Sequence, residues 1–171
     1  MEERTGSVTL KGNPVTLLGK ELNVGDPAPD FEAVANDLSP VSFSDYRGRV
    51  CVVSAVPSLD TPVCDVETRR FNTEASGLGD DVVMLTLSMD LPFAQSRWCG
   101  AAGVDKVVTL SDHRTAGFGE AYGVLIKGLR LLARAVFVVD QQGIVQHVQL
   151  VREIGDEPDY EAVIGAVKKL L

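Results

Sequence analysis

Three cysteines, Cys51, Cys64 and Cys99, and one arginine beside an apolar run, Arg134, are the residues of this chain best placed to do chemistry. Cys64 ends the string Pro57-Ser58-Leu59-Asp60-Thr61-Pro62-Val63-Cys64. That string reads as the end of a buried strand, a short loop and the first turn of a helix. Thr61 is a good N-cap, because its hydroxyl can accept a bond from an orphan backbone N–H. Pro62 suits the first helical position, where its missing N–H costs nothing. Cys64 then falls at the third helical position, among unpaired N–H groups and at the positive end of the helix dipole. A cysteine there ionises more readily, and the thiolate is the nucleophile.

Ionisation alone does not make a fast thiol enzyme. A thiol with a pKa of about 8.5 is only about 3% thiolate at neutral pH. Lowering the pKa to about 6 raises that fraction roughly thirtyfold, but nucleophilicity falls as the pKa falls. The leaving group also needs a donor from elsewhere in the chain, and an arginine fits. The plain alternative for Cys64 is a small buried hydrophobe, the usual fate of a free cysteine. The helix-start grammar argues against it. Asp65 and Glu67 count mildly against a thiolate, but they read mainly as an acidic first turn that stabilises the helix.

Cys99 follows Cys64 by thirty-five residues, in Leu91-Pro92-Phe93-Ala94-Gln95-Ser96-Arg97-Trp98-Cys99-Gly100. One strand separates the two helices, so a reversible Cys64–Cys99 bond is topologically possible. The Cα atoms of such a pair must come within about 7 Å, which implies local unwinding during turnover. A buried filler is an equally good reading of Cys99. Arg134, in Leu132-Ala133-Arg134-Ala135-Val136, must pair with something or reach solvent. It can hold a thiolate and orient a peroxide oxygen, or it can simply snorkel to the surface. Cys51, inside an apolar strand, reads as inert core.

The elements that must position these residues follow from periodicity and turn chemistry. Residues 7–17 read as a hairpin around Lys11-Gly12-Asn13-Pro14. Short strands are expected at Phe31–Ala35 and Val41–Phe43, with a single helical turn or loop over Ser44–Gly48. Val50–Ala55 is an apolar, β-branched run suited to a strand buried on both faces. The helix from Pro62 should reach about Ser76. Further strands are expected at Val82–Leu87, Val107–Leu110 and Ala135–Val139. Helices are expected at Leu91–Ala102 and, weakened by Gly117 and Gly119, at Thr115–Tyr122. Asp140-Gln141-Gln142-Gly143 turns into Ile144–Val151. An amphipathic helix carrying Tyr160, Val163, Ile164, Val167 and Leu171 closes the chain. This order implies a thioredoxin-like α/β sandwich, a mixed central sheet with helices on both faces and an N-terminal β-hairpin.

The 171 residues suit a single domain, with 45% hydrophobic and 23% charged residues. A net charge of −8 argues against nucleic acid or an anionic membrane as partner. No apolar run is long enough for a membrane span. The first residues have no signal-peptide core, so a cytoplasmic protein is expected. An odd number of widely spaced cysteines does not form a secreted disulfide framework. The absence of a Cys-x-x-Cys pair, with His113 and His147 isolated, argues against a zinc site.

Together these residues resemble the peroxiredoxins. Pro57-x-x-x-Thr61-x-x-Cys64 matches their signature, and the strings 57–64 and 92–99 are similar to those of the bacterial thiol peroxidases, an atypical two-cysteine branch. Gly25-x-x-Ala28-Pro29-Asp30-Phe31, Leu132–Val136 and Glu157-Pro158-Asp159-Tyr160-Glu161 extend the resemblance over nearly the whole chain. The resemblance implies that Cys64 is the peroxidatic cysteine and Cys99 its resolving partner in the same chain. It implies that Thr61 bonds the thiolate or peroxide, Arg134 polarises the peroxide, and Pro57 shapes and shields the pocket. It further implies reduction of hydrogen peroxide and organic hydroperoxides, thioredoxin as reductant, a homodimer, and no metal or prosthetic group.

Two other classes compete with this peroxidase reading. A redox-sensing interaction protein would use the same disulfide to change partners and would persist oxidised. A thioredoxin-like binding module with structural cysteines would lose no thiol to peroxide.

Overall fold

Val50–Ala55, the apolar run before the Cys64 motif, forms the middle of a seven-stranded sheet in a computed structural model that describes residues 1–171. In chain order the elements are β1 (Glu3–Leu10), β2 (Asn13–Leu18), β3 (Glu32–Val34), β4 (Pro40–Ser42) and β5 (Val50–Ala55). They continue with α1 (Pro62–Ala75), β6 (Val82–Ser88), α2 (Pro92–Ala102), β7 (Val107–Ser111) and α3 (Gly117–Ala121). The last are β8 (Leu125–Ile126), β9 (Ala135–Val139), β10 (Val145–Leu150) and α4 (Tyr160–Lys168). A 3₁₀ turn over Phe43–Tyr46 lies between β4 and β5.

The sheet order is β10-β9-β5-β6-β7-β3-β4. Strands β5, β6 and β7 are parallel, and β9 lies antiparallel against β5. The expected mixed α/β sandwich is therefore present. Alternate residues of β5 serve different layers, as period-two side chains must. Val50 and Val52 pack with Phe71 of α1 and with Val163 and Val167 of α4. Cys51, Val53 and Ala55 face Phe118 and Tyr122 near α3 and Val8 and Leu17 of the hairpin. Cys51 is 2% exposed, and burial pushes its thiol up to about 11, so it stays protonated as an inert core residue.

Pairing places the chemistry at one end of this sheet. Ala55, the last residue of β5, lies opposite Ala135, the first of β9. Residues just beyond Ala55 and just before Ala135 are thus brought side by side. Those residues are the loop leading to Cys64, and Arg134.

One local expectation needs correction. The helix expected over Thr115–Tyr122 is only Gly117–Ala121. Asp112 accepts bonds from the N–H groups of Phe118 and Gly119 at 3.0 and 2.8 Å, and Ala116 is left-handed (φ 55°), so the helix starts late. Gly119 is there because space is short. A Cβ would come within 2.8 Å of Leu132 Cδ2 and 3.1 Å of Leu125 Cβ. One further strand, β8, was not among those expected and has only two residues. It pairs with β2 in a separate three-stranded sheet, β1-β2-β8. So short a strand carries no periodicity to read.

Candidate active site

Helix α1 starts at Pro62 with Thr61 at the N-cap, so Cys64 is the third helical residue, as expected. The cap itself differs. The Thr61 hydroxyl accepts no backbone N–H; it donates to the Ser58 carbonyl at 3.0 Å and braces the loop instead. Asp90 anchors the same loop, its carboxylate accepting from Ser58 Oγ at 2.7 Å, Leu59 N–H at 2.8 Å and Ser88 Oγ at 2.7 Å. The sequence offered no sign of this role, because Asp90 reaches back across some thirty residues to its partners. Asp90→Ala leaves the Leu59 N–H without its partner, and we expect a loss of about 2 kcal/mol. A urea unfolding curve measures it, and an unchanged midpoint would remove Asp90 from the account.

Cys64 is fully buried against Val56 and Leu59, with Trp98 packed alongside. Burial alone fits a filler cysteine as well as a nucleophile. A guanidinium lies beside it. Arg134 Nη2 donates to Cys64 Sγ at 3.3 Å, Nη1 donates to Glu67 Oε2 at 2.7 Å, and Nε donates to the Ile154 carbonyl at 2.9 Å. Arg134 is 2% exposed, so it does not snorkel. The position of β9 beside β5 keeps it inside. Burial alone would lower its pKa, but the neighbouring Cys64 and Glu67 more than offset that and keep the guanidinium charged.

Glu67 is the member of this group expected only as part of an acidic first turn that stabilises the helix. It is instead fully buried, with Ser54 Oγ donating to Oε1 at 3.3 Å and Arg134 to Oε2. A signal was available in the spacing. The buried face of α1 is Cys64, Glu67, Thr68 and Phe71, an i, i+3, i+4, i+7 stripe, and Glu67 falls inside it.

Burial pushes the Glu67 carboxyl from about 4.5 up to about 7, and the attraction of Arg134 offsets only part of that. The native state therefore holds the Glu67 proton more tightly than the unfolded chain does. Its contribution to stability is complete below about pH 4.5 and is lost as pH rises through about 7. Glu67→Gln, which keeps an acceptor for Arg134, should flatten that decline. Asp112, also raised by burial, to about 6, gives a similar slope at lower pH. Asp112 is present in both proteins and cancels in the comparison, so their stabilities should diverge between about pH 4.5 and 7. Urea midpoints across this range provide the check, and parallel curves would mean that Glu67 keeps its charge throughout.

The remaining expected site residues are placed as follows. Pro57 sits half-buried just past the end of β5. Cys99 lies in α2, partly buried, its Sγ 3.4 Å from Thr109 Oγ1 on β7. Cys64 and Cys99 are both free thiols with different partners. The fold brings their helices together but does not bring their sulfurs together. A groove of about 430 Å³ opens between α1 and α2, lined by Thr61, Asp65, Arg69 and Trp98 among others, with neither Cys64 nor Arg134 in its wall. No three His, Cys, Asp or Glu side chains converge to hold a metal ion.

Known proteins share this fold. The model of the Redoxin family matches residues 23–164. The thiol peroxidase of Oceanobacillus iheyensis is 58% identical, over 95% of this chain and 99% of that protein. The thiol peroxidase of Bacillus subtilis is 57% identical, over 96% and 98%. A crystal structure of a peroxiredoxin-like protein from Aquifex aeolicus superposes with a TM-score of 0.91 at 47% identity, covering 98% of each chain. A thiol peroxidase from Chromobacterium violaceum, at 18% identity and a TM-score of 0.84, shares the fold. With near full-length identity to thiol peroxidases and a cationic donor on a helix-start cysteine, this chain belongs to the Redoxin family, as a peroxiredoxin of the thiol peroxidase type.

Proposed function

We propose that the chain reduces hydrogen peroxide and organic hydroperoxides through a Cys64 sulfenic acid, and that Cys99 resolves this acid as an intramolecular disulfide which thioredoxin reduces. The observation that carries the reading is the bond from Arg134 Nη2 to Cys64 Sγ at the start of a helix. A buried cation aimed at sulfur favours the thiolate and supplies a preorganised donor where negative charge develops on a peroxide oxygen.

The thiolate of Cys64 attacks one peroxide oxygen, the O–O bond breaks, and the other oxygen leaves as water or alcohol after taking a proton. The sulfur keeps the attacked oxygen as S–OH. The Cys99 sulfur then attacks the Cys64 sulfur, releasing water and forming the disulfide. Two thiols of thioredoxin return both cysteines to the reduced state by exchange. Thr61 bonds the thiolate or peroxide once its hydroxyl turns from the Ser58 carbonyl, and Pro57 shapes and shields the pocket. No helix is long and apolar enough to cross a membrane. The family resemblance extends the proposal to a cytoplasmic homodimer whose working unit is the single domain 1–171. Between an enzyme and a thioredoxin-like binding module, the cation held on a thiol favours the enzyme, because a structural cysteine needs no such partner.

The test is one equivalent of hydrogen peroxide added to fully reduced protein, followed by mass mapping of the cysteines. Loss of two hydrogens with a Cys64–Cys99 crosslink is expected. Unchanged thiols would overturn the peroxidase mechanism, and oxidation at Cys64 alone would remove Cys99 as its partner.

A further inference from the structure

The residue after Cys64 is bonded to the residue before Cys99. Trp98 Nε1–H donates to Asp65 Oδ1 at 2.8 Å. Arg69, one turn further along α1, donates from Nε to Asp65 Oδ2 at 2.9 Å and from Nη1 to the Ala102 carbonyl at the end of α2 at 3.2 Å. Its guanidinium also lies over the Trp98 ring, 5.8 Å from the centroid. Another turn on, Asn72 Oδ1 accepts the backbone N–H groups of Asp105 and Lys106, just past α2, at 3.2 and 2.6 Å. Asp65, Arg69 and Asn72 follow i, i+4, i+7 spacing and so share one helix face. That face is a polar seam joining the two cysteine-bearing segments, distinct from the buried face that carries Cys64 and Glu67.

Disulfide formation must disturb this seam. Cys64 Sγ is held by Arg134 and Cys99 Sγ lies against Thr109, so each sulfur has a different neighbour. A disulfide needs the two Cα atoms within about 7 Å and the Cβ atoms nearer still, and with both helices intact the two thiols are free. Local unwinding at either cysteine moves Asp65 or Trp98 with it, because each is the immediate chain neighbour.

We propose that the Asp65–Trp98 bond, braced by Arg69, is a latch whose opening limits the rate at which Cys99 resolves oxidised Cys64. The proposal rests on the disulfide mechanism above. Asp65, Arg69 and Trp98 are positioning residues, since none of them touches the reacting sulfur–oxygen bond. Their effect appears in a competition. The Cys64 sulfenic acid either condenses with the Cys99 thiol, releasing water, or takes an oxygen from a second hydrogen peroxide to become sulfinic acid, also releasing water. A tighter latch prolongs the sulfenic acid and favours the second route.

Trp98→Phe keeps the ring and removes only the N–H donor. A single partly exposed hydrogen bond to a carboxylate corresponds to about a fivefold change in the opening equilibrium. We therefore expect disulfide formation about fivefold faster, and a matching rise in the peroxide concentration that half-converts Cys64 to sulfinic acid. The initial peroxide reaction should change less than resolution does, because the Arg134 contacts are untouched and the phenyl ring still packs alongside Cys64. Arg69→Met, which removes both braces from α1, should act in the same direction. Rapid acid quench followed by mass spectrometry follows all three species.

Trp98 is the only tryptophan, so the native protein also reports on itself. Its fluorescence should change with disulfide formation and not with the earlier loss of peroxide. Native or slower resolution in both variants, or a fluorescence change that tracks peroxide loss, would overturn the latch while leaving the peroxidase reading intact. Peroxide consumption with no Cys64–Cys99 bond would overturn the latch and the resolving role together. No peroxide consumption at all would instead strike the proposed function itself.

Discussion

Arg134→Met should slow the first oxidation of Cys64 by about 10²–10³-fold, the usual cost of losing one preorganised donor at a developing oxyanion. Methionine keeps most of the buried volume, so the loss is chemical rather than a cavity effect. The same change strands Glu67, which is fully buried and has Arg134 as its only cationic partner. Breaking a buried pair from one side costs about 3–5 kcal/mol, less whatever the stranded group recovers by taking up a proton. Glu67 can recover much of it, because burial already holds its carboxyl near neutrality, at about 7.

The double variant Arg134→Met with Glu67→Gln separates the two effects. It should regain most of the lost stability, since no buried charge is left without a partner. It should not regain the rate, since nothing replaces the donor to Cys64 Sγ. Stopped-flow peroxide consumption and urea unfolding on the same three proteins test both halves. A rate in Arg134→Met close to native would remove Arg134 from the chemistry, whatever its role in folding.

Cys99→Ser should have the opposite profile. One round of peroxide reduction proceeds at close to the native rate, because Cys99 lies away from Cys64 Sγ and contacts Thr109. Turnover with thioredoxin then falls steeply. A tethered thiol acts at an effective concentration of about 1 mM, so a free thiol at about 10 µM is roughly a hundredfold slower at the same step. The sulfenic acid persists and a second peroxide converts it to sulfinic acid, which a thiol does not reverse. Steady-state peroxide consumption coupled to thioredoxin, with mass analysis of Cys64 afterwards, is the measurement. Full turnover in this variant would mean that an external thiol resolves Cys64 and that Cys99 is a filler after all.

The contrast between these two variants reflects how the site is divided along the chain. Everything needed to place Cys64 at a helix start is local, and was legible as such. The apolar run Val50–Ala55 and the helix beginning at Pro62 appear where strand and capping rules put them. Ala135–Val139 likewise has the expected ends. These features depend on φ preferences, side-chain period and unpaired backbone donors within a few residues of one another, which a sequence records directly. Even there, a competing local bond prevailed once. The Thr61 hydroxyl turned to the Ser58 carbonyl rather than to the helix, a choice made easier because Asp90 holds Ser58 from a distant loop.

What Arg134 and Glu67 do was not determined locally. The residues around Arg134 are compatible with a snorkelling side chain or a buried one. Only the antiparallel register that sets Ala135 opposite Ala55 brings the guanidinium beneath the start of α1. Glu67 had its place on the helix stripe, but an acidic residue in a first turn has a satisfactory surface reading until a buried cation is known to face it. The order of the two cysteines and the intervening strand indicated neighbouring helices. Tertiary packing then settled that their sulfurs face different partners, across a seam closed by Asp65 and Trp98. The chain's own sequence thus determined where Cys64 stands, the helix that carries it and the class of sheet beneath it, through short-range sterics and hydrogen bonding. The guanidinium beside Cys64, the carboxylate behind it and the seam between the two cysteine-bearing helices depend on contacts made between residues tens of positions apart, and those exist only once the sheet has closed.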